Sequence, residues 1–141
     1  MKKRITFISN SSSSSFVVIS DGKLDQINEE DTLLVPTSRG EMCFGWQQER
    51  YNDFYSKLNF CALQCLDVWD TKGKNWFEML KKVIKDKLNI DLELDEHTEG
   101  YIDHQSSAYE GSNTEMFDSK HDLIQFLFSS DSYIENDNDN H

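Results

Sequence analysis

The chain has 141 residues, 37% of them apolar, and a formal net charge of −12; that is the size of one ordinary domain able to bury its own core. Nine Phe, five Tyr and three Trp exclude a disordered chain, and no apolar run approaches the roughly 18 residues of a membrane-spanning helix. Residues 1–90 hold 13 Lys or Arg against 12 Asp or Glu, whereas residues 91–141 hold 14 acidic residues and a single Lys120, so the last third would be repelled by a nucleic-acid backbone.

Taken in chain order, Arg4-Ile5-Thr6-Phe7-Ile8 has the β-branched and aromatic content of a short strand. Ser9-Asn10 and Ser11 to Ser15 have no apolar anchor and read as a loop. Phe16-Val17-Val18-Ile19 follows as a buried strand, Asp21-Gly22 as a turn, and Thr32-Leu33-Leu34-Val35 as a third strand stopped by Pro36. From about Gln47 the period changes. Tyr51, Phe54, Tyr55, Leu58, Cys61, Ala62, Cys65 and Leu66 recur at three and four, which predicts an amphipathic helix. Gly73 breaks the chain before a second helix that starts near Asn75 and Glu78 and carries Trp76, Phe77, Leu80, Val83, Ile84 and Leu88 inward. Ile90-Asp91-Leu92-Glu93-Leu94-Asp95 alternates as a half-buried strand with one carboxylate face. Gly100 and Gly111 punctuate a polar stretch, Ser119 opens a short third helix through Leu123, Ile124 and Leu127, and residues 135–141 read as a polar acidic tail. The expected architecture is α+β, a single domain over residues 1–134 with a small mixed or antiparallel sheet packed against two or three helices.

Phe7-Ile8-Ser9-Asn10-Ser11-Ser12-Ser13-Ser14-Ser15-Phe16 resembles the opening of a set of uncharacterised small proteins of tailed bacteriophages, which have basic residues, an aromatic, Ser-Asn, a serine run and Phe. Phe126-Leu127-Phe128-Ser129-Ser130-Asp131-Ser132-Tyr133-Ile134, running into Asn136-Asp137-Asn138, is similar to such proteins as well. The resemblance covers roughly 25 residues near the two ends of the chain. It implies a phage source and no particular chemistry.

Four features could carry chemistry. The serine run, Asn10, Ser11, Ser12, Ser13 and Ser14, offers successive N–H groups and hydroxyls for an anion, without the glycines that let a phosphate loop approach closely. Asp103-His104-Gln105-Ser106-Ser107 holds the residue types of a nucleophile and its base, but no Gly-x-Ser-x-Gly elbow occurs anywhere. Cys61 and Cys65 share a helical face, yet they lie on the apolar stripe, where free Cys acts as a small hydrophobe. No Cys-x-x-Cys pair accompanies them, and the calcium-like Asp137 and Asp139 lack a closing Glu, so neither a metal nor any other cofactor is expected. The fourth feature is the acidic strand. Asp91, Glu93 and Asp95 would repeat about every 6.6 Å, roughly every second phosphate of a DNA strand, and Glu96, Glu99 and Asp103 extend the patch.

The charge asymmetry and the resemblance together favour a non-enzymatic phage accessory protein. It would bind a host protein with a basic surface through the acidic face, and that partner could be a factor that normally holds nucleic acid. No direct contact with nucleic acid or membrane is expected. One alternative is a small enzyme or nucleotide-binding protein that joins the serine loop to Asp103, His104 and Asp131; another is a minor virion component. Three cysteines, and an N-terminal apolar stretch too short for a secretory segment, point to the reduced cytosol, the host cytoplasm for a phage protein.

Overall fold

The computed structural model describes residues 2–4, 13–36, 39–45, 49–70, 72–95, 97, 100–103 and 106–138, with residues 2–4, 13, 14, 137 and 138 described in their backbone alone. Along the chain run β1 (Lys2–Arg4), β2 (Ser13–Ser20), β3 (Leu33–Leu34), β4 (Cys43–Phe44), β5 (Glu49–Tyr51), α1 (Phe54–Asp67), α2 (Lys72–Leu88), β6 (Asp91–Leu92), β7 (Tyr101–Ile102), α3 (Lys120–Phe128) and β8 (Tyr133–Asn138). The fold is α+β. Its main sheet is antiparallel, in the order β1-β2-β8-β5, and two short parallel pairs, β3 with β6 and β4 with β7, lie apart from it.

The acidic tail expected from residue 135 onward is instead, as far as Asn138, the end of an inner strand of that sheet. Ile134 sits opposite both Val17 and Tyr51 and is fully buried. Two residues on, Asn136 also points inward and is 1% exposed, because its Oδ1 accepts a hydrogen bond from Ser15 Oγ at 2.6 Å. A polar side chain can take an inward strand position when it finds a partner there. Residues 139–141 lie outside the described residues.

Strand β2 begins at Ser13, so the second half of the serine run is ladder rather than loop. Of the expected strand over residues 4–8, β1 contains Arg4, and residues 5–8 lie outside the described residues. β1 pairs with residues 18–20 of β2. Beyond that point side chains line the same edge. Val17 N–H donates to Asn113 Oδ1 at 3.3 Å, and Asn113 Nδ2 donates to the Ser15 carbonyl at 2.7 Å. Ser15 N–H donates to Ser106 Oγ at 2.6 Å, and that hydroxyl returns a bond to the Ser15 carbonyl at 3.0 Å. The polar stretch around Gly111 therefore stands in for a neighbouring strand.

Helix α1 starts at Phe54 behind Asp53, whose carboxylate caps the Ser56 N–H at 2.9 Å. The sequence predicts a one-faced helix, but every residue from 56 to 65 is buried. Its apolar side meets the core, where the Phe44 ring packs edge-on against Tyr51 and Phe60. On its polar side, Gln64 and Lys57 are held by loops. Gln64 Nε2 donates to the carbonyls of Ser106, Ser112 and Asn113 at 3.1–3.2 Å, and Gln64 Oε1 accepts from Ala108 N–H at 2.6 Å. Lys57 Nζ donates to the carbonyls of Ser129 (2.7 Å) and Ser132 (3.1 Å), closing the C-terminal end of α3.

Gly73 lies inside α2 rather than before it. A β-carbon there would strike the carbonyl oxygens of Cys65 and Val68, so glycine lets α2 begin hard against the end of α1. Leu80 is fully buried, but Trp76 is half-buried, stacked on Phe117 at 4.6 Å rather than set in the core. Ser119 caps α3 as expected, accepting from Asp122 N–H at 3.0 Å. Cys61 and Cys65 are buried, and burial pushes both thiols up. Among the described residues no helix is long and apolar enough to cross a membrane.

Candidate partner-binding groove

The acidic segment owes its position to α2. That helix ends at Leu88, where Asn89 adopts a left-handed conformation (φ 56°) and its N–H bonds back to the Lys85 carbonyl at 2.9 Å. The chain reverses there and runs back along the helix. Asp91 and Glu93 donate their N–H groups to the carbonyls of Thr32 and Leu34, each at 3.0 Å, which fixes the strand against β3. Ile90 and Leu92 turn into the core and Leu94 is half-buried, while Asp91, Glu93 and Asp95 are exposed. Only residues 91–92 keep ladder geometry, yet the alternation holds along the whole segment.

Between this segment and α2 lies an open groove of about 690 Å³. Its floor is apolar, with the Trp69 ring packed edge-on against Phe77 at 5.8 Å beside Leu92, Leu94 and Val35. One lip carries Glu93, Asp95 and His97, and the other carries Lys74, Glu78 and Lys81 from α2. Those three helical positions share a face by their spacing of four and three. Just beyond the groove the two sides meet, and Lys85 Nζ bridges Asp91 at 3.2 Å. Among the described residues neither Glu93 nor Asp95 is bridged to a lysine. Asp95 Oδ1 accepts the His97 N–H at 2.9 Å, a local turn made by an exposed side chain.

The expected acidic face is thus assembled in part. Glu96 and Glu99 lie outside the described residues. Asp103 does not join it. This residue is 3% exposed and accepts a hydrogen bond from Ser15 Oγ at 3.2 Å, deep in the polar seam beside β2. The alternation that places Asp91, Glu93 and Asp95 does not extend so far, because the chain has by then entered β7 and crossed to β4.

The serine run fares differently at its two ends. Asn10, Ser11 and Ser12 lie outside the described residues, as do His104 and Gln105. Ser13 and Ser14 stand in β2 opposite Asn138 and Asp137, so they do not belong to a loop. Asp131 lies at the other end of that strand, against Gly22 and next to Ser132, whose hydroxyl accepts the Ser20 N–H at 2.8 Å. Six residues of strand separate Ser14 from Ser20, roughly 20 Å. Ser13 and Ser14 are therefore remote from Asp131, while Ser11, Ser12 and His104, the other members of the composite site, lie outside the described residues.

Among the described residues no three His, Cys, Asp or Glu side chains gather as a metal site would require. Sequence reasoning does not single out Trp69, Lys74, Glu78, Lys81 or His97 as functional. The helical spacing of Lys74, Glu78 and Lys81 is visible in the sequence, but the reversal at Asn89 that sets them opposite Glu93 and Asp95 is not. No family model matches the chain, and neither a curated protein nor a solved structure matches it.

Proposed function

We propose that this is a non-enzymatic binding protein whose groove between α2 and residues 92–97 receives an extended, basic and partly apolar segment of a partner protein. The observation that carries the reading is the pairing of two exposed carboxylates without a bridging lysine among the described residues, Glu93 and Asp95, with an apolar floor led by Trp69 and Phe77. Carboxylates on a lip steer cations and select against other charges, and an aromatic floor supplies the desolvated contact that holds them. The resemblance of residues 7–16 to phage-encoded proteins supports seeking the partner among proteins of a bacterial host, in its cytoplasm.

Titration with a short capped peptide of alternating arginine and leucine, at low and high salt, tests this reading. Binding should weaken with salt. A Glu93→Lys/Asp95→Lys variant that melts like the native protein should lose about tenfold in affinity, mainly through a slower on-rate. Unchanged binding by the folded double variant would remove the groove as the binding surface.

A further inference from the structure

Resting on that reading, we infer that Lys74 is a built-in placeholder: its ammonium occupies the aromatic end of the groove, where a partner's arginine or lysine head docks.

The two lips are not charged alike along their length. A helix rises 1.5 Å per residue and a strand about 3.3 Å. Lys81 and Lys85 are therefore about 6 Å apart along α2, close to the roughly 6.6 Å between Asp91 and Glu93. Where the Lys85–Asp91 bridge closes the far end, lysine and carboxylate stand one to one. Farther along, toward Trp69, the count changes. Glu78 on the helix lip and Asp95 on the strand lip both face the groove, with Lys74 as the lysine of that end. Two carboxylates beside an aromatic ring suit a cation, which gains from the ring face and from charge together.

The chain shows such a cation near the ring. Lys74 Nζ lies 6.0 Å from the centroid of Trp69, at the outer limit of a cation–π contact. Lys74 itself is exposed and on the first turns of α2, so its side chain can swing into water without cost to the core. An incoming guanidinium would stack on the ring more closely than the resident ammonium and reach a carboxylate with two parallel N–H donors. The occupant is accordingly a polypeptide segment bearing arginine or lysine, with its cation at Trp69, Glu78 and Asp95.

The test uses the full chain and the same arginine–leucine peptide, with calorimetry for affinity and the Trp69 indole N–H resonance for location. Lys74→Ala should tighten binding about threefold to tenfold, since the competing ammonium is gone, and that gain should shrink at high salt. Asp95→Asn and Trp69→Leu should each weaken binding by a similar factor. If Lys74→Ala leaves the affinity unchanged while Asp95→Asn still weakens it, the placeholder is overturned and the groove reading stands. If Lys74→Ala weakens binding, or a glutamate–leucine peptide binds through Lys74, the end subsite takes anions and the inference is wrong. Failure of the peptide to bind either the native chain or Lys74→Ala, with the Trp69 resonance unmoved, overturns the groove reading itself.

Discussion

Two regions of this protein are both rich in polar side chains and put them to opposite uses. In the seam between α1, β2 and the stretch around Gly111, Gln64, Ser106 and Asn113 are buried, and their amide and hydroxyl groups bond to main chain. In the groove beside α2, charged groups of both signs stand in water, and Glu93 and Asp95 have no bridging lysine among the described residues. Burial with full hydrogen bonding makes a polar group part of the scaffold, expensive to alter and closed to a ligand. Exposure without a bridge makes it inexpensive to alter and free to engage a partner. A charged or polar cluster in a sequence therefore has no fixed meaning until its burial is known.

The largest effect expected on the scaffold side comes from the chain end. Ending the chain after Ser132 removes β8, on which both β2 and β5 pair, and uncovers Val17 and Tyr51. That loss exceeds the roughly 5–15 kcal/mol by which a domain of this size is ordinarily stable, so the truncated chain should show no cooperative melting transition by circular dichroism. A sharp native-like melt would return residues 133–138 to the status of a tail. Next comes Gln64→Leu, a near-isosteric change that strands the Ser112 and Asn113 carbonyls and the Ala108 N–H in the interior and leaves the Ser106 carbonyl with Asn113 Nδ2 alone. It should cost about 3–5 kcal/mol in a urea titration, and a loss under about 1 kcal/mol would show that the seam is not part of the scaffold.

The scaffold explains which elements are legible in the sequence. β2, β3 and the three helices announce themselves because their inward residues are apolar at the period of the element. β8 does not, since of its inward positions Ile134 is apolar and Asn136 is polar, and only the bond from Ser15 Oγ, 121 residues earlier in the chain, makes the second one buried. α1 reads as one-faced because Lys57, Asn59 and Gln64 look like a solvated side. In the fold they are the anchors of distant loops, a tertiary fact with no local trace. The same blindness applies to Asp103, which belongs by composition to the acidic patch and by contact to Ser15. In the groove, alternation marks Asp91, Glu93 and Asp95 correctly as outward, but nothing local tells which helix they face.

A smaller effect distinguishes the regions by pH. Lys57 is 1% exposed, and burial draws its ammonium down from 10.5 to about 8, against the opposing pull of nearby carboxylates that include Asp25 and Asp53. The folded state thus releases this proton more readily than the unfolded chain does. Between about pH 8 and 10.5 the unfolded chain binds more protons, so the Lys57 contribution to stability grows as pH rises through that window and is lost as pH falls through 8. Its full extent is roughly 3 kcal/mol. The difference between native and Lys57→Met stability curves from about pH 8 to 10.5 isolates it. A difference that stays flat across the window would mean the ammonium is hydrated and the contact between α1 and the end of α3 is open at that point.

The smallest effect belongs to the groove and is the sharpest check on the contrast between the two regions. Glu93→Gln and Asp95→Asn remove charge from exposed positions while keeping size, and the amide oxygen of the Asp95→Asn variant could still accept the His97 N–H that the carboxylate accepts now. Neither carboxylate is bridged to a lysine among the described residues, so each change should move stability by no more than about 0.5 kcal/mol. Asp91→Asn should cost slightly more, up to about 1 kcal/mol at low salt, because it opens the exposed bridge to Lys85, and that excess should vanish at high salt. Urea titrations of the three variants at two ionic strengths separate these values. Should Glu93→Gln or Asp95→Asn cost more than about 1.5 kcal/mol, the carboxylates would be serving the fold, and the groove would lose its claim to be surface kept free for a partner.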